Sequence, residues 1–263
     1  VFLMKKRSII PSLITAFLLM ALHLSACSAS FQETDSSLDS MGENSPLSAE
    51  SGMDSQISES QLLDFTIANL SMGENVSVDC PQIQGTGYDQ TNEFLRQTVK
   101  EVVQIRLSEP TSQVTASLAG NITYWDGKTL CFVLEGLWND SSAAHPISVW
   151  LPILIDLDHQ TLVSLAELLS VDKELVVSFR QAYREQIVSG LEEKLQTDLS
   201  QESESLKQLL DQMTDEAIRS ALSQTALDSD GSLQGFFTNA GMGVSVALPH
   251  ALGDHFEVYL ERR

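Results

Sequence analysis

The first part of the chain beyond residue 60 alternates between strand-like and helix-like patterns. Residues 63–70 and 76–83 are rich in apolar and β-branched residues, and the turn-forming run 72–75 separates them, which predicts two strands joined by a turn. Residues 92–107 carry apolar residues three or four positions apart, the spacing of one helix face. This predicted helix ends before Pro110.

The central part of the chain predicts a hairpin and a third strand. Residues 114–125 and 129–138 flank Asp126-Gly127, a dipeptide that favours tight hairpin turns. Residues 147–157 follow as another apolar strand, which residues 158–160 end with a turn.

The last third of the chain is first helical and then extended. Apolar residues at helical spacing predict long helices over residues 173–199 and 204–222, and Ser164 or Ser170 is expected to cap the short helical pieces before them. Three short strands follow, at residues 235–238, 243–248 and 255–260. Strands and helices in blocks predict an α+β fold, an antiparallel sheet packed by helices.

The N-terminus has the pattern of an export signal. Lys5, Lys6 and Arg7 precede an interrupted apolar run over residues 9–24, which is too short for a comfortable membrane-spanning helix. The four residues that end at Cys27 read Leu-Ser-Ala-Cys, the pattern that lipoprotein processing requires. We therefore expect cleavage before Cys27, lipid on its thiol and a location on the outer face of the cell membrane. Met4, directly before the basic cluster, is a candidate start.

The charge of the chain fits an extracytoplasmic location. All 36 acidic residues follow Cys27 and three of the 15 basic residues precede it, so the processed chain would carry 12 basic residues and a formal charge of −24. Such a surface repels nucleic acid and anionic lipid. It favours cationic partners, and it also serves plain solubility.

The sequence divides into three segments. Residues 1–26 are the predicted signal peptide, and residues 27–60, rich in Ser and acidic residues, are too polar to form a core and predict a flexible tether. Residues 61–263 are expected to form a single extracellular domain with an N-terminal part, residues 61–140, and a C-terminal part, residues 141–263. The alternative is that the domain consists of two intertwined subdomains.

Two cysteines, Cys80 and Cys131, lie in the predicted domain. Outside the cytoplasm such a pair can form a disulfide, and the alternative is two buried thiols. Their spacing matches no metal-binding pattern.

Candidate chemistry is sparse. The chain lacks GxSxG, HExxH, Walker and dinucleotide-binding motifs. His250, Asp254 and His255 lie close together in the sequence, and imidazoles beside a carboxylate can hold zinc or exchange protons. His145 and His159 are candidates to join them in space. The alternative is that these are ordinary loop residues.

Three tryptophans, at positions 125, 138 and 150, lie on predicted strands or at their ends. They are candidates to line a saccharide or peptide groove, and Trp150 is the one we retain with the histidines as a candidate ligand contact. Core packing is the alternative for all three, because large aromatic side chains supply much of a core's apolar area.

Three stretches, in this order, carry a family resemblance. The first joins strand 76–83, which contains Pro81-Gln82-Ile83, to helix 92–107. The second holds Ala144-His145-Pro146, Ile155-Asp156-Leu157 and the run Val163-Ser164-Leu165-Ala166-Glu167-Leu168-Leu169. The third holds Phe236-Phe237-Thr238-Asn239-Ala240-Gly241, residues 244–248 and Pro249-His250-Ala251-Leu252-Gly253.

Together these stretches, over residues 64–260, resemble the extracellular domain of RsiV-type and PdaC-type proteins. The resemblance implies an α+β domain outside the cell. In RsiV-like anti-sigma factors this domain recognises lysozyme, and in PdaC-like proteins it accompanies a peptidoglycan deacetylase, whose Asp/His motifs are missing here. His250 and His255 stand where tyrosines are common, and Leu169 replaces an aromatic residue.

Three functions remain open. The first is a binding or sensing module of the cell envelope, without catalytic residues, metal or cofactor, whose ligand is a cationic protein such as lysozyme or a cell-wall glycan. The second is a structural or assembly lipoprotein that contacts another envelope protein. The third is a metal-assisted hydrolase of wall material built on His250, Asp254 and His255.

Overall fold

The computed structural model describes residues 64–107 and 111–261, which form nine strands and five helices. The strands are β1 (Phe65–Ser71), β2 (Val76–Ile83), β3 (Val114–Trp125), β4 (Thr129–Asp140), β5 (Ile147–Asp156), β6 (Thr161–Leu162), β7 (Leu233–Thr238), β8 (Gly241–Ala247) and β9 (His255–Glu261). The helices are α1 (Asp89–Leu107), α2 (Leu165–Leu168), α3 (Lys173–Leu195), α4 (Ser203–Gln208) and α5 (Asp215–Leu222). The predicted signal peptide, the lipid site at Cys27 and the tether lie outside the described residues.

The first six strands form one sheet in chain order, from β1 to β6. Its neighbours pair antiparallel except β2 and β3, which are parallel because α1 carries the chain back between them. The α+β prediction with an antiparallel sheet is therefore confirmed, with this one parallel pair as a departure. The suggested internal boundary at residue 140 runs through the sheet, since β4 and β5 pair along their length.

Opposite faces of this sheet contribute to different cores. On β4, Leu130, Phe132 and Leu134 point into the core that α1 covers, whereas Cys131 points into a small cluster on the other face. On β5, Leu154 belongs to that second cluster. Because side chains alternate along a strand, Ser148 and Trp150 share the face of Leu154.

The last three strands form a second, antiparallel sheet in the order β7-β8-β9. Phe256 and Val258 of β9 pack on one face against Phe179 and Ile187 of α3. The opposite face looks toward the first sheet, where Phe236 of β7 joins the cluster around Cys131. The junction between the two sheets is therefore apolar around Phe236.

The predicted helix over residues 204–222 is wrong as a single element. It divides into α4, a 3-10 turn over Leu209–Gln212 and α5, with Met213 extended between them. Thr214 starts α5, since its side chain accepts a hydrogen bond from the Ala217 N–H at 3.1 Å. The guanidinium of Arg180, a residue of α3, donates to the carbonyl of Met213, and this hydrogen bond stabilises the break between the two helices.

Cys80 and Cys131 are free and buried. Cys80 lies in the core beneath α1, and Cys131 lies on the opposite face of the sheet, so the disulfide alternative does not fit this fold. Burial raises the pKa of the Cys80 thiol to about 12 and that of Cys131 to about 11. Both thiols therefore stay protonated at neutral pH.

Within the described part of the chain, no helix is both long enough and apolar enough to span a membrane.

Candidate functional site

Two strands from different sheets place polar side chains opposite one another. Ser148 and Trp150 are two residues apart on β5 and so point to the same face of that strand. His255 and Glu257 are likewise two residues apart and share one face of β9. The face of β9 with His255 and Glu257 is the one that α3 leaves uncovered. The polar residues therefore meet at the junction of the sheets.

A short loop before β9 fixes the position of Asp254. Gly253 and Asp254 both have left-handed backbone, with φ of 91° and 70°, a conformation that Gly adopts freely and Asp tolerates. The carboxylate of Asp254 accepts the Ser148 N–H at 2.7 Å. This N–H lies on the edge of β5 away from β4, so Asp254 satisfies a donor that no strand pairs there.

His145 and His250 form an exposed pair beside this loop. Their rings stack with centroids 5.0 Å apart and planes 15° from parallel. His250 also approaches Asp254, with 2.9 Å between Nδ1 and Oδ1. His159 lies away from this pair, at the other end of β5. Its ring and its N–H both bond to Asp156, at 2.9 and 3.0 Å.

Ser148, His255 and Glu257 form a hydrogen-bonded chain. Ser148 Oγ lies 3.1 Å from His255 Nε2, and His255 Nδ1 lies 2.5 Å from Glu257 Oε1. The side chains of His255 and Glu257 are only 12% and 14% exposed. Since a carboxylate only accepts, we assign the proton of the neutral imidazole to Nδ1, which leaves Nε2 to accept from the Ser148 hydroxyl.

Trp150 packs against the imidazole of this chain. Its ring stacks on His255 with centroids 5.8 Å apart and meets Phe236 edge-on at 5.9 Å. The other two tryptophans have different surroundings: Trp138 is buried in the core under α1, and Trp125 packs edge-on against Phe65. Of the three tryptophans, Trp150 is the one that lies beside another candidate ligand contact, and the groove remains a prediction.

The structure thus brings together all five candidate ligand contacts, His145, Trp150, His250, Asp254 and His255, and leaves out His159. Sequence reasoning missed Ser148 and Glu257. The available signal was the pairs Ser-x-Trp and His-x-Glu, whose spacing places both members on one face of a strand. Among the described residues, no three His, Cys, Asp or Glu side chains converge as a metal site.

A separate cavity of about 300 Å³ opens where the tip of the β3–β4 hairpin approaches α2 and the β7–β8 hairpin. Its lining combines aromatic and aliphatic side chains with two carboxylates: Tyr124, Asp126, Thr129, Leu168, Leu169, Phe237, Gly241, Met242 and Glu261. Tyr124 and Phe237 form a ring pair with centroids 5.5 Å apart.

Asp126 is held as an anion at this cavity. Its carboxylate accepts the N–H groups of Lys128 and Thr129 at 3.0 and 2.7 Å and the Tyr124 hydroxyl at 2.9 Å. Partial burial raises the pKa of Asp126, but these hydrogen bonds outweigh it and lower the pKa overall. The exposed Glu261 supplies the second carboxylate of the cavity.

The chain has little detectable similarity to known proteins. No family model matches it, and no curated protein matches it at a significant level. Among solved structures, the crystal structure of a DUF3298 family member from Bacteroides fragilis covers 76% of this chain and 90% of that chain, at 11% identity and a TM-score of 0.40. Such a weak likeness says nothing about ligands, and the resemblance to RsiV-type and PdaC-type domains remains a prediction.

Proposed function

We propose that this chain is a lipid-anchored binding module on the outer face of the cell membrane and that its ligand is a cationic extracellular protein. The observation that carries the proposal is the cavity of about 300 Å³ with its aromatic wall and two carboxylates. The Leu-Ser-Ala-Cys pattern that ends at Cys27 supports the anchor and the location.

The cavity has the chemistry that receives a basic side chain. An arginine or lysine stem packs on apolar walls, while its charged end is attracted to aromatic faces and carboxylates. Tyr124 and Phe237 supply the rings, and Asp126 and Glu261 supply the carboxylates. A volume near 300 Å³ is at the small end of ligand sites, so it suits one or two anchoring side chains of a larger partner.

The charge of the whole chain supports the same class of ligand. The formal charge, −21 for the whole sequence and −24 after the predicted cleavage before Cys27, attracts a basic protein over distances of about a Debye length, which raises the association rate at low salt. Lysozyme is the natural first probe, because it is basic and because the family resemblance implies it. The proposal includes no turnover of this ligand.

The test is a calorimetric titration of the full-length chain, purified in detergent, with lysozyme at low and moderate salt. We expect saturable binding that weakens with salt, and we expect Glu261→Gln to weaken it about three- to tenfold through the loss of one charge at the cavity. Glu101→Gln is the matched control, since Glu101 is also exposed but lies on α1, which packs against the opposite face of the first sheet.

Two outcomes would contradict the proposal. If Glu261→Gln and Glu101→Gln weaken binding equally, the cavity is not the contact and the attraction is only a matter of net charge. If lysozyme does not bind at all while soluble peptidoglycan fragments do, the ligand is a glycan, and Trp150 becomes the residue to test.

A further inference from the structure

We propose that Ser148, His255 and Glu257 form a nucleophile–base–carboxylate triad that hydrolyses short carboxylic esters. This activity goes beyond the binding role and does not depend on it, because the triad and the acidic cavity share no residue. The two proposals can therefore fail separately.

The order of atoms in the triad is the one that acyl transfer needs. The imidazole of His255 presents Nε2 to the Ser148 hydroxyl at 3.1 Å and Nδ1 to the Glu257 carboxylate at 2.5 Å. Both separations allow hydrogen bonds, so the base reaches its nucleophile and the carboxylate orients the base. Unrelated folds combine serine, histidine and an acidic residue in this geometry, which is recognised by roles and not by sequence order.

The surroundings hold the three side chains in place. Ser148 lies on β5, and its N–H bonds to Asp254, so the main chain beneath the nucleophile is fixed. The ring of Trp150 stacks on His255 and restricts its rotation. Glu257 has a second partner in Ser245, whose hydroxyl donates at 3.3 Å to Oε1, the carboxylate oxygen that also contacts His255. Sites on paired strands that are braced in this way keep their geometry better than sites on loops.

All three side chains are partly shielded from water. The side chains of His255 and Glu257 are 12% and 14% exposed, and Ser148 is half-buried. The imidazole and the carboxylate thus interact with little screening by solvent. The cavity lined by Tyr124 and Phe237 does not include Ser148, and the proposal takes a short acyl group as its substrate.

The reaction proceeds in two balanced steps. Ser148 Oγ attacks the ester carbonyl carbon, its proton passes to His255 Nε2, and the C–O bond to the alcohol breaks as that proton passes to the leaving oxygen. Water then attacks the acyl-serine and gives a proton to Nε2, and the carboxylic acid leaves as Ser148 Oγ regains this proton. Glu257 keeps Nδ1 protonated throughout and stabilises the imidazolium that forms in each step.

The experiment treats the full-length chain with a fluorophosphonate probe, identifies the modified residue by mass spectrometry and measures p-nitrophenyl acetate hydrolysis. We expect modification of Ser148 and loss of both signals in Ser148→Ala. We expect His255→Gln to slow modification about 100-fold, the lower end of what a general base contributes, and Glu257→Gln to slow it about tenfold. Ser189→Ala is the control, because this exposed serine of α3 bonds only within its own helix.

A purely structural role for the three residues gives different results. In that case Ser148 stays unmodified in the folded chain, or its modification is equally fast in His255→Gln, and either result overturns the proposal. Ser148→Cys is the second variant, should replacement of His255 unfold the protein. Its thiol should be alkylated by iodoacetamide at neutral pH faster than the thiol of Ser189→Cys, which lies at an exposed position of α3, and an equal or slower rate would likewise overturn the proposal.

Discussion

Removing the hydroxyl of Tyr183 gives a sharp test of how α3 and α4 are joined. This side chain is wholly buried, and its hydroxyl donates to the carbonyl of Leu206 at 3.0 Å. In Tyr183→Phe the Leu206 carbonyl still accepts a hydrogen bond from the Leu209 N–H, so the substitution leaves this carbonyl with a partner. We therefore expect a loss of about 1 kcal/mol in the free energy of unfolding, near the mean for one hydrogen bond.

The same substitution has a predictable pH dependence. Burial, and secondarily the charge of Asp211, raises the pKa of the Tyr183 hydroxyl above its usual value near 10. Above pH 10 the unfolded chain releases this proton and the folded chain keeps it, so stability falls as pH rises. For one such group the loss reaches about 1.4 kcal/mol at pH 11. Because Tyr183→Phe escapes this loss, it should be about as stable as the unmodified chain near pH 11.

Urea denaturation at pH 7 and pH 11 measures the free energy of unfolding and so tests both effects. Thermal unfolding at pH 7 is a second measurement, in which a loss of about 1 kcal/mol lowers the midpoint by about 2–4 °C. Tyr88→Phe is the matched control, since Tyr88 is half-buried and its hydroxyl has no partner among the described residues, and we expect a change below about 0.5 kcal/mol. Equal effects of the two substitutions at pH 7, or a gap that persists unchanged at pH 11, would refute the reasoning.

Three further predictions follow from packing and titration. A hydrogen bond from the His159 side chain, with a further one from the His159 N–H, lowers the pKa of Asp156 to about 2. The contribution of Asp156 to stability should therefore be lost between about pH 4 and pH 2, and Asp156→Asn should flatten the acid-unfolding curve followed by circular dichroism. Gly243→Ala would push a methyl group into the Phe236 ring and should cost about 1–3 kcal/mol in urea titrations, and a neutral result would contradict the close approach. Mass spectrometry after a brief iodoacetamide pulse should find Cys80 and Cys131 unmodified until urea is added, because burial keeps both protonated and inaccessible.

Local signals predicted the individual elements well. The hairpin of β3 and β4 turns at Asp126-Gly127 as expected, since Gly127 has a φ of 95° that favours glycine. Ser164 precedes α2, and its N–H bonds to the Glu167 carboxylate at 2.6 Å, whereas Asp172 and not Ser170 caps α3. Such features depend on residues within one turn of each other, so the sequence displays them directly.

Features that depend on distant partners were not predictable in this way. The break at Met213 follows a helical pattern without Gly or Pro, and it is held by Arg180, more than 30 residues earlier. The parallel pairing of β2 and β3 depends on the end of the sheet to which α1 returns the chain. In both cases the deciding contact is tertiary, and it overrides a propensity worth only a few tenths of a kcal/mol per residue.

The candidate site shows the same distinction within one group of residues. His250, Asp254 and His255 are close in the sequence and suggested zinc or proton transfer among themselves, yet each of the two imidazoles bonds to a different carboxylate. Strand alternation separates them, because it directs His255 toward Glu257 on its own strand and toward Ser148 on β5, more than 100 residues away. A serine in an apolar strand has no sequence context that distinguishes a nucleophile from a strand residue. The imidazole beside this serine comes from the second sheet, so the hydrogen-bonded chain at this junction arises from the meeting of two sheets and not from any contiguous motif.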